Sequence, residues 1–348
     1  MPWSRLVSMS APASDRPDIT ILLSTYNGKR FLAAQLESFL AQSHENWILY
    51  WRDDGSDDES VAIMRAFADR IGAGRCVESP SSGPHLGAAS SFLTLLAENT
   101  AAEVIAFADQ DDVWLPEKLH HAAEQIMQAG GRPMLYCARQ YLVDENLQGS
   151  KLSVSHANTP DFPACLTQNI ANGNTLVLNA AASALVAAMG QPEGTVHDWW
   201  SYIVVSACGG TIIFDERPQV LYRLHKKNLI GATRSMPARA FAAIHRGSDI
   251  FMTMMHRHAD MLDNAASYLS PQARKDLKII RAALHGGFPH RLAALRCRRF
   301  RRRTALENIL FGYWFVTTKP ENPALQLPGK QSKLAMPHWA PQKGPATE

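Results

Sequence analysis

Only five of the 348 residues are cysteines, and Cys76, Cys137, Cys165, Cys208 and Cys297 lie scattered without a C-x-x-C pair. An odd, dispersed set supplies neither a disulfide framework nor a zinc site. No apolar run reaches the ~18 to 20 residues that a membrane-spanning helix requires. The opening stretch 1–17, rich in Ser, Ala and Pro, has no apolar core of the kind a secretory signal carries. Charge of one sign is also lacking: a net charge of +3 gives no overall field for or against nucleic acid. Glycine is scarce where a phosphate-cradling turn would need it. From Ser24 to Arg30, just after the first apolar run, the only glycine is Gly28 and there is no G-x-G. That argues against a dinucleotide fingerprint and a P-loop at this turn. What remains is an ordinary globular chain, 46% apolar and 19% charged, expected in the cytoplasm and long enough for a large core.

What is present is a repeated pattern of apolar runs closed by polar clusters. Runs at 19–23, 47–51 and 104–108 read as buried strands. They end in Ser24-Thr25-Tyr26-Asn27, in Arg52-Asp53-Asp54-Gly55-Ser56 and in Asp109-Gln110-Asp111-Asp112. Between them, Phe31, Leu32, Leu36, Phe39 and Leu40, then Val61, Met64 and Phe67, then 92–96, keep helical spacing. The order strand, helix, strand, helix, helix, strand predicts an α/β fold with a mostly parallel central sheet flanked by helices. In such a sheet the carboxyl ends of the strands face one crevice, and ligands bind there. Asp109, Asp111 and Asp112 crowd into four positions and repel one another unless a cation sits among them. An Asp-x-Asp pair suits Mg²⁺ or Mn²⁺, with substrate phosphates filling the remaining positions. Without a glycine cradle, a carboxylate-held metal must offset phosphate charge, which points to a single nucleotide diphosphate.

In the second half, 133–137, 174–178, 211–214 and 220–225 read as strands, and the polar loop 169–174 either faces a substrate or turns the chain. In Val196-His197-Asp198-Trp199-Trp200, two roles are open to Asp198. It caps a helix on a buried aromatic patch, or it is a general base in a pocket whose aromatic faces stack on a sugar. Trp114, Trp199 and Trp200 equally suit packing, and His225 alone reads as an ordinary, partly buried histidine.

Four motifs, Ser24-Thr25-Tyr26-Asn27, Arg52-Asp53-Asp54-Gly55-Ser56-Asp57-Asp58, Phe107 to Pro116, and His197-Asp198-Trp199-Trp200, stand in the order seen in a known family. The chain from 19 to 232 resembles family 2 glycosyltransferases of the GT-A fold, in the rhamnosyltransferase-like branch of bacterial polysaccharide biosynthesis. The resemblance implies that Ser24, Thr25 and Tyr26 hold the nucleotide, with Tyr26 against the base. Asp54 would accept a hydrogen bond from the pyrimidine. Asp109 would lie by the ribose and metal, Asp111 and His225 would ligate the metal, and Asp198 would be the catalytic base. The acceptor would meet Trp199, Trp200 and Asn174. Two stretches depart from the family pattern. The loop 79–87 lacks an Asn or Lys before Gly87, and Asn172-Gly173-Asn174 replaces a Thr-Gly-Cys type of loop.

The implied reaction is inverting, metal-dependent (Mg²⁺ or Mn²⁺) transfer of rhamnose or a hexose. The donor would be a dTDP- or UDP-linked sugar, and the acceptor a glycan or lipid-linked saccharide. The expected division is a flexible tail 1–17, a GT-A catalytic domain 18–232, a helical C-terminal extension 233–318 and a disordered tail 319–348. The extension carries an arginine-dense segment from Arg291 to Arg303, followed by the aromatic-rich 309–316. That pairing suits an anionic membrane surface, nucleic acid or a plain solvated helix; the commonly lipid-linked acceptor of the resembled family implies peripheral contact at the inner face of the cell membrane, with no nucleic acid partner. A nucleotidyltransferase would need a basic, glycine-rich signature near the first strand, which 24–30 lacks. A non-catalytic nucleotide-binding protein would have lost a metal carboxylate or the base, and Asp109, Asp111 and Asp198 are all present.

Overall fold

The structure is a computed structural model that describes residues 17–72, 74–156, 160–225 and 248–317. The expected tails, apart from Pro17, and the expected domain boundary at 232/233 lie outside the described residues.

The three predicted strands of the first half are β1 (Ile19–Thr25), β2 (Trp47–Asp53) and β4 (Val104–Ala108). A short β3 (Cys76–Glu78) extends that edge, and all four run parallel in the order β3-β2-β1-β4. Helices α1 (Leu32–Leu40), α2 (Ser60–Ile71) and α3 (Ala88–Glu98) connect them. The chain reverses its direction of winding between β1 and β4, so a switch-point crevice opens at their carboxyl ends.

Beyond β4 the sheet is mixed, which the expectation of a mostly parallel sheet did not foresee. After β5 (Val113–Trp114) and α4 (Lys118–Met127) come β6 (Met134–Val143), β7 (Lys151–Leu152) and β8 (Val177–Asn179). The sheet continues β4-β8-β6-β9-β5, with β8 antiparallel to both β4 and β6. The runs at 211–214 and 220–225 merge into one long strand, β9 (Thr211–Arg223), parallel to β6. Its register shifts opposite Ala138, Arg139 and Gln140, so Glu216 and Arg217 are extra residues just before Pro218. A proline without an N–H and a charged pair fit a bulge better than a regular ladder.

Side-chain alternation sorts β1 and β4 into two cores. Ile19, Ile21 and Leu23 face α1, α2 and α4, together with Leu49, Trp51 and Phe39. Leu22, Ile105 and Phe107 face the opposite layer of α3, α5 (Ala180–Ala188) and α6 (His197–Ala207). The same second core runs on without a break into α7 (Ser248–Asn264), α8 (Pro271–His285), α9 (Phe288–Leu295) and α10 (Ala305–Thr317). Met255, Leu277, Ala294 and Phe315 belong to it, so the C-terminal helices share the core of α6.

Phe39 is fully buried and packs edge-on against Trp114 (4.7 Å between ring centroids) and Trp47 (6.3 Å). Phe39→Ala should therefore destabilise the protein by about 3–5 kcal/mol, read from urea unfolding midpoints. A loss below about 1 kcal/mol would show that this core collapses around the gap.

Candidate active site

The three clusters at the carboxyl ends of β1, β2 and β4 are tied together by specific hydrogen bonds. At the end of β1, Ser24 Oγ pairs with Ser91 Oγ (2.7 Å), and Thr25 Oγ1 donates to Asp53 Oδ1 (3.1 Å). The Gln110 side chain clasps the backbone of Tyr26 in both directions. It accepts from Tyr26 N (3.0 Å) and donates to Tyr26 O (2.9 Å), which joins the β1 loop to the acidic loop. A Cβ at Gly28 would lie 2.0 Å from Gln110 Oε1, so this clasp needs the glycine. The Tyr26 ring is 46% exposed and sits 4.6 Å from the His85 ring, forming an aromatic lip at the crevice.

Asp54 is only 2% exposed, and both of its oxygens are engaged. Oδ1 accepts from Arg52 Nη1 (2.5 Å) and Leu86 N (2.7 Å), and Oδ2 accepts from Gly87 N (2.9 Å). Arg52, fully buried, also donates to Ser91 Oγ and Pro84 O. The pair clamps the loop 84–87, and the pyrimidine contact expected of Asp54 is not available without opening that clamp.

The acidic loop splits by alternation. Asp112 is fully buried and accepts from Arg223 N (3.0 Å) and Asn174 Nδ2 (2.6 Å). Antiparallel pairing of Val113 with Leu221 carries the end of β9 back along the loop. This brings His225 Nε2 to 2.7 Å from Asp111 Oδ2, and Arg223 Nε donates to Asp111 O (2.8 Å). Asp109 stands at the end of β4; burial, then the Asp111 and Asp198 carboxylates, push its pKa up to about 7. Three acids thus face one crevice. Beneath them, Lys118 is fully buried over the Trp114 ring (3.4 Å), and burial pushes its pKa well down.

Asp198 is the second residue of α6, 8% exposed; the N-cap is Val196, so Asp198 does not take the capping role open to it. Its Oδ1 accepts from Trp199 N (2.6 Å) and its Oδ2 from Gly173 N (3.0 Å). Burial raises its pKa to about 6 against these hydrogen bonds and one from Asn169. Gly173 has to be a glycine here, because a Cβ would lie 2.7 Å from His197 Nε2.

The three residues expected to meet the acceptor are buried here. Trp200 is fully buried, donates to Gly190 O (2.7 Å) and stacks on His258. Trp199 donates to Cys165 O (2.7 Å) and stacks on Phe251. Asn174, 2% exposed, holds Asp112 from behind. The residues that reasoning from sequence missed are the fasteners Gln110, Arg223, Asp112 and Lys118. Only Asp112 carried a signal, as the third acid of its cluster.

Whether these side chains fit a divalent ion can be judged from the donor set. Among the described residues no three His, Cys, Asp or Glu side chains form a ready metal cage. Asp111 and His225 do present one oxygen and one nitrogen side by side, with Asp109, raised to about 7 by burial and then by the Asp111 and Asp198 carboxylates, beside them. Two protein donors and an excess of carboxylate fit an ion whose shell is completed by substrate phosphates.

Comparisons with known proteins bear on the family and the fold. Residues 20–162 match the family model for Glycosyl transferase family 2. The chain is 23% identical over 233 residues to the dTDP-rhamnosyl transferase RfbG of Shigella flexneri, covering 62% of this chain and 76% of that one. It is 24% identical over 224 residues to the uncharacterized glycosyltransferase RP339 of Rickettsia prowazekii, covering 60% of this chain and 64% of that one. Among solved structures, S. aureus TarS 1-349 in complex with UDP-GlcNAc superposes with a TM-score of 0.53 at 14% identity. The superposition covers 80% of this chain and 78% of that one. The fold is of the GT-A type. Residues 20–162, the segment that matches the family 2 glycosyltransferases, carry the β1, β2 and β4 clusters.

Asp54→Ala removes the partner of a fully buried guanidinium. It should cost about 3–5 kcal/mol in urea unfolding and expose the loop 79–87 to limited proteolysis. An unchanged midpoint together with an intact loop would show that the clamp lies elsewhere.

Proposed function

We propose that this glycosyltransferase moves a sugar, rhamnose or a hexose, from a dTDP- or UDP-linked donor to a glycan or lipid-linked acceptor, with inversion and with Asp198 as the base. The observation that carries the reading is the pairing of Asp111 with His225 in the crevice that Asp198 also faces, Asp109 feeling both acids. The donor classes are those in the names of similar proteins: a dTDP-rhamnosyl transferase and a structure bound to UDP-GlcNAc.

In this reading Ser24, Thr25 and Tyr26 line the nucleotide end of the crevice, and the Tyr26–His85 lip offers a face for the base. Asp111 and His225, with Asp109 beside them, would hold Mg²⁺ or Mn²⁺, which supplies Lewis-acid stabilisation to the departing diphosphate. Asp198 takes the acceptor hydroxyl's proton as that oxygen attacks the anomeric carbon from the side opposite the diphosphate. A single displacement of this kind inverts the centre and needs no enzyme nucleophile. With a pKa near 6, Asp198 is ionised at neutral pH yet basic enough to share a proton in the transition state.

The first experiment is a thermal-shift panel of UDP, dTDP, GDP and CDP, each with and without Mn²⁺ or Mg²⁺. One diphosphate should bind in a metal-dependent way, Asp111→Ala should abolish that binding, and Asp198→Asn should keep it. Asp198→Asn should lower kcat by about 10²–10⁴. Metal-dependent binding to none of the four would overturn the reading.

The pH profile follows from the same carboxylate. Asp198 works only when deprotonated, and its pKa is raised to about 6. Below that value kcat/KM should fall roughly tenfold per pH unit, and above it reach a plateau. A break near the ordinary carboxylate pKa, around 4, would argue against Asp198 as the base.

A further inference from the structure

Helix α10 is apolar on both sides, which a helix lying between a core and water is not expected to be. Its inner side carries Phe311, Trp314 and Phe315, which pack on Phe251 and Phe300. Its outer side carries Leu306, Ile309 and Tyr313, spaced i, i+3, i+7 and exposed by 61%, 71% and 64%. Among its thirteen residues the only charge is Glu307.

A run of arginines leads directly into this helix. Arg299 is held by Asp276 and Arg303 meets His156. Arg296, Arg298 and Arg301 are exposed and make no ion pair among the described residues. On the adjoining α9, Phe288 and Leu292 are exposed as well.

We infer that α10 and the arginines before it form a docking surface for an anionic lipid bilayer, with α10 lying in the plane of the interface. Thirteen residues make about 20 Å of helix, short of the roughly 30 Å hydrocarbon layer. Among the described residues no helix is long and apolar enough to cross a membrane. An apolar face bordered by arginines matches the two layers of a membrane surface, acyl chains beneath and anionic headgroups above. A second copy is the poorer occupant, because a two-fold contact through this patch would bring the two arginine runs together. The inference does not rest on the transfer reaction, since none of these residues lies in the crevice.

The test is flotation of the full chain with phosphatidylcholine vesicles, with and without about a third phosphatidylglycerol. The chain should float with the anionic vesicles and stay behind with the neutral ones. Ile309→Glu with Tyr313→Glu should weaken binding at least about tenfold by setting charge into the apolar layer. Arg298→Glu and Arg301→Glu should each weaken it about fivefold or more, in a manner that high salt imitates. The thermal shift with metal and nucleotide should be unchanged in all three variants, which separates lost docking from lost folding.

Equal or absent binding to both vesicle types overturns the proposal. So does a doubled mass in light scattering that Ile309→Glu abolishes, which would make the face a contact between copies. An Ile309→Cys thiol shielded from a water-soluble maleimide without vesicles would show the face covered by the chain itself, and that also overturns it.

Discussion

The burial of Asp112 is the constraint on which the crevice depends. A carboxylate with no solvent exposure is stable only where the protein supplies its partners, and here they are Arg223 N and the Asn174 amide. Those partners belong to the end of β9 and to the loop before β8, so one side chain joins three segments far apart in sequence. Its inward direction also decides the rest of the loop. With Asp112 turned into the core, Asp111 is turned toward His225, and β5 can pair with β9 only in that register. Burial and the two neighbouring acids push the Asp112 pKa well up, while burial pushes that of Lys118 well down.

The first half of the fold was legible because its strands are buried on both faces. Continuous apolar runs such as 104–108 have no other economical use, and the polar clusters closing them mark the rim of the sheet. The two-residue strands β5 and β7 carry no periodicity to find, and Asp215 to Pro218 disguised a bulge as a break. The acids of the site were equally visible, since carboxylate clusters are rare after a buried strand. Their fasteners were not. Gln110 reaches 84 residues back to Tyr26, and Arg223 reaches 112 back to Asp111; such links follow from strand order, which no local pattern states. Asp54 shows the converse error. Its place after β2 was right, but the fully buried Arg52 two residues earlier had already claimed its carboxylate.

The tryptophans after Asp198 belong to a different economy. Next to a candidate base they look like a sugar platform, but α7 arrives some fifty residues later and covers them. Both indole N–H groups find backbone carbonyls, and His258 of α7 stacks on Trp200 while its Nε2 meets Thr195 Oγ1. Burial pushes the His258 pKa down to about 3, so this contact holds as a neutral one across the working pH range. The C-terminal helices are therefore the back wall of α6. They add no reacting group, yet they fix the axis of the helix whose first turn presents Asp198.

That placement sets the basicity of Asp198 by opposition. Burial carries a carboxyl above its usual range, and for Asp112 it acts together with the Asp111 and Asp109 carboxylates. The Trp199 N–H at the start of α6, the Gly173 N–H and the Asn169 side chain pull the other way, and the balance lies near 6. Two of those three donors come from the loop 169–174, whose fold depends on Asn174 reaching Asp112. The base and the acid that organises the opposite side of the crevice are thus linked through one short loop. A disturbance at Asp112 would move the Gly173 N–H away from Asp198 and raise its pKa, even though the two carboxylates share no hydrogen bond.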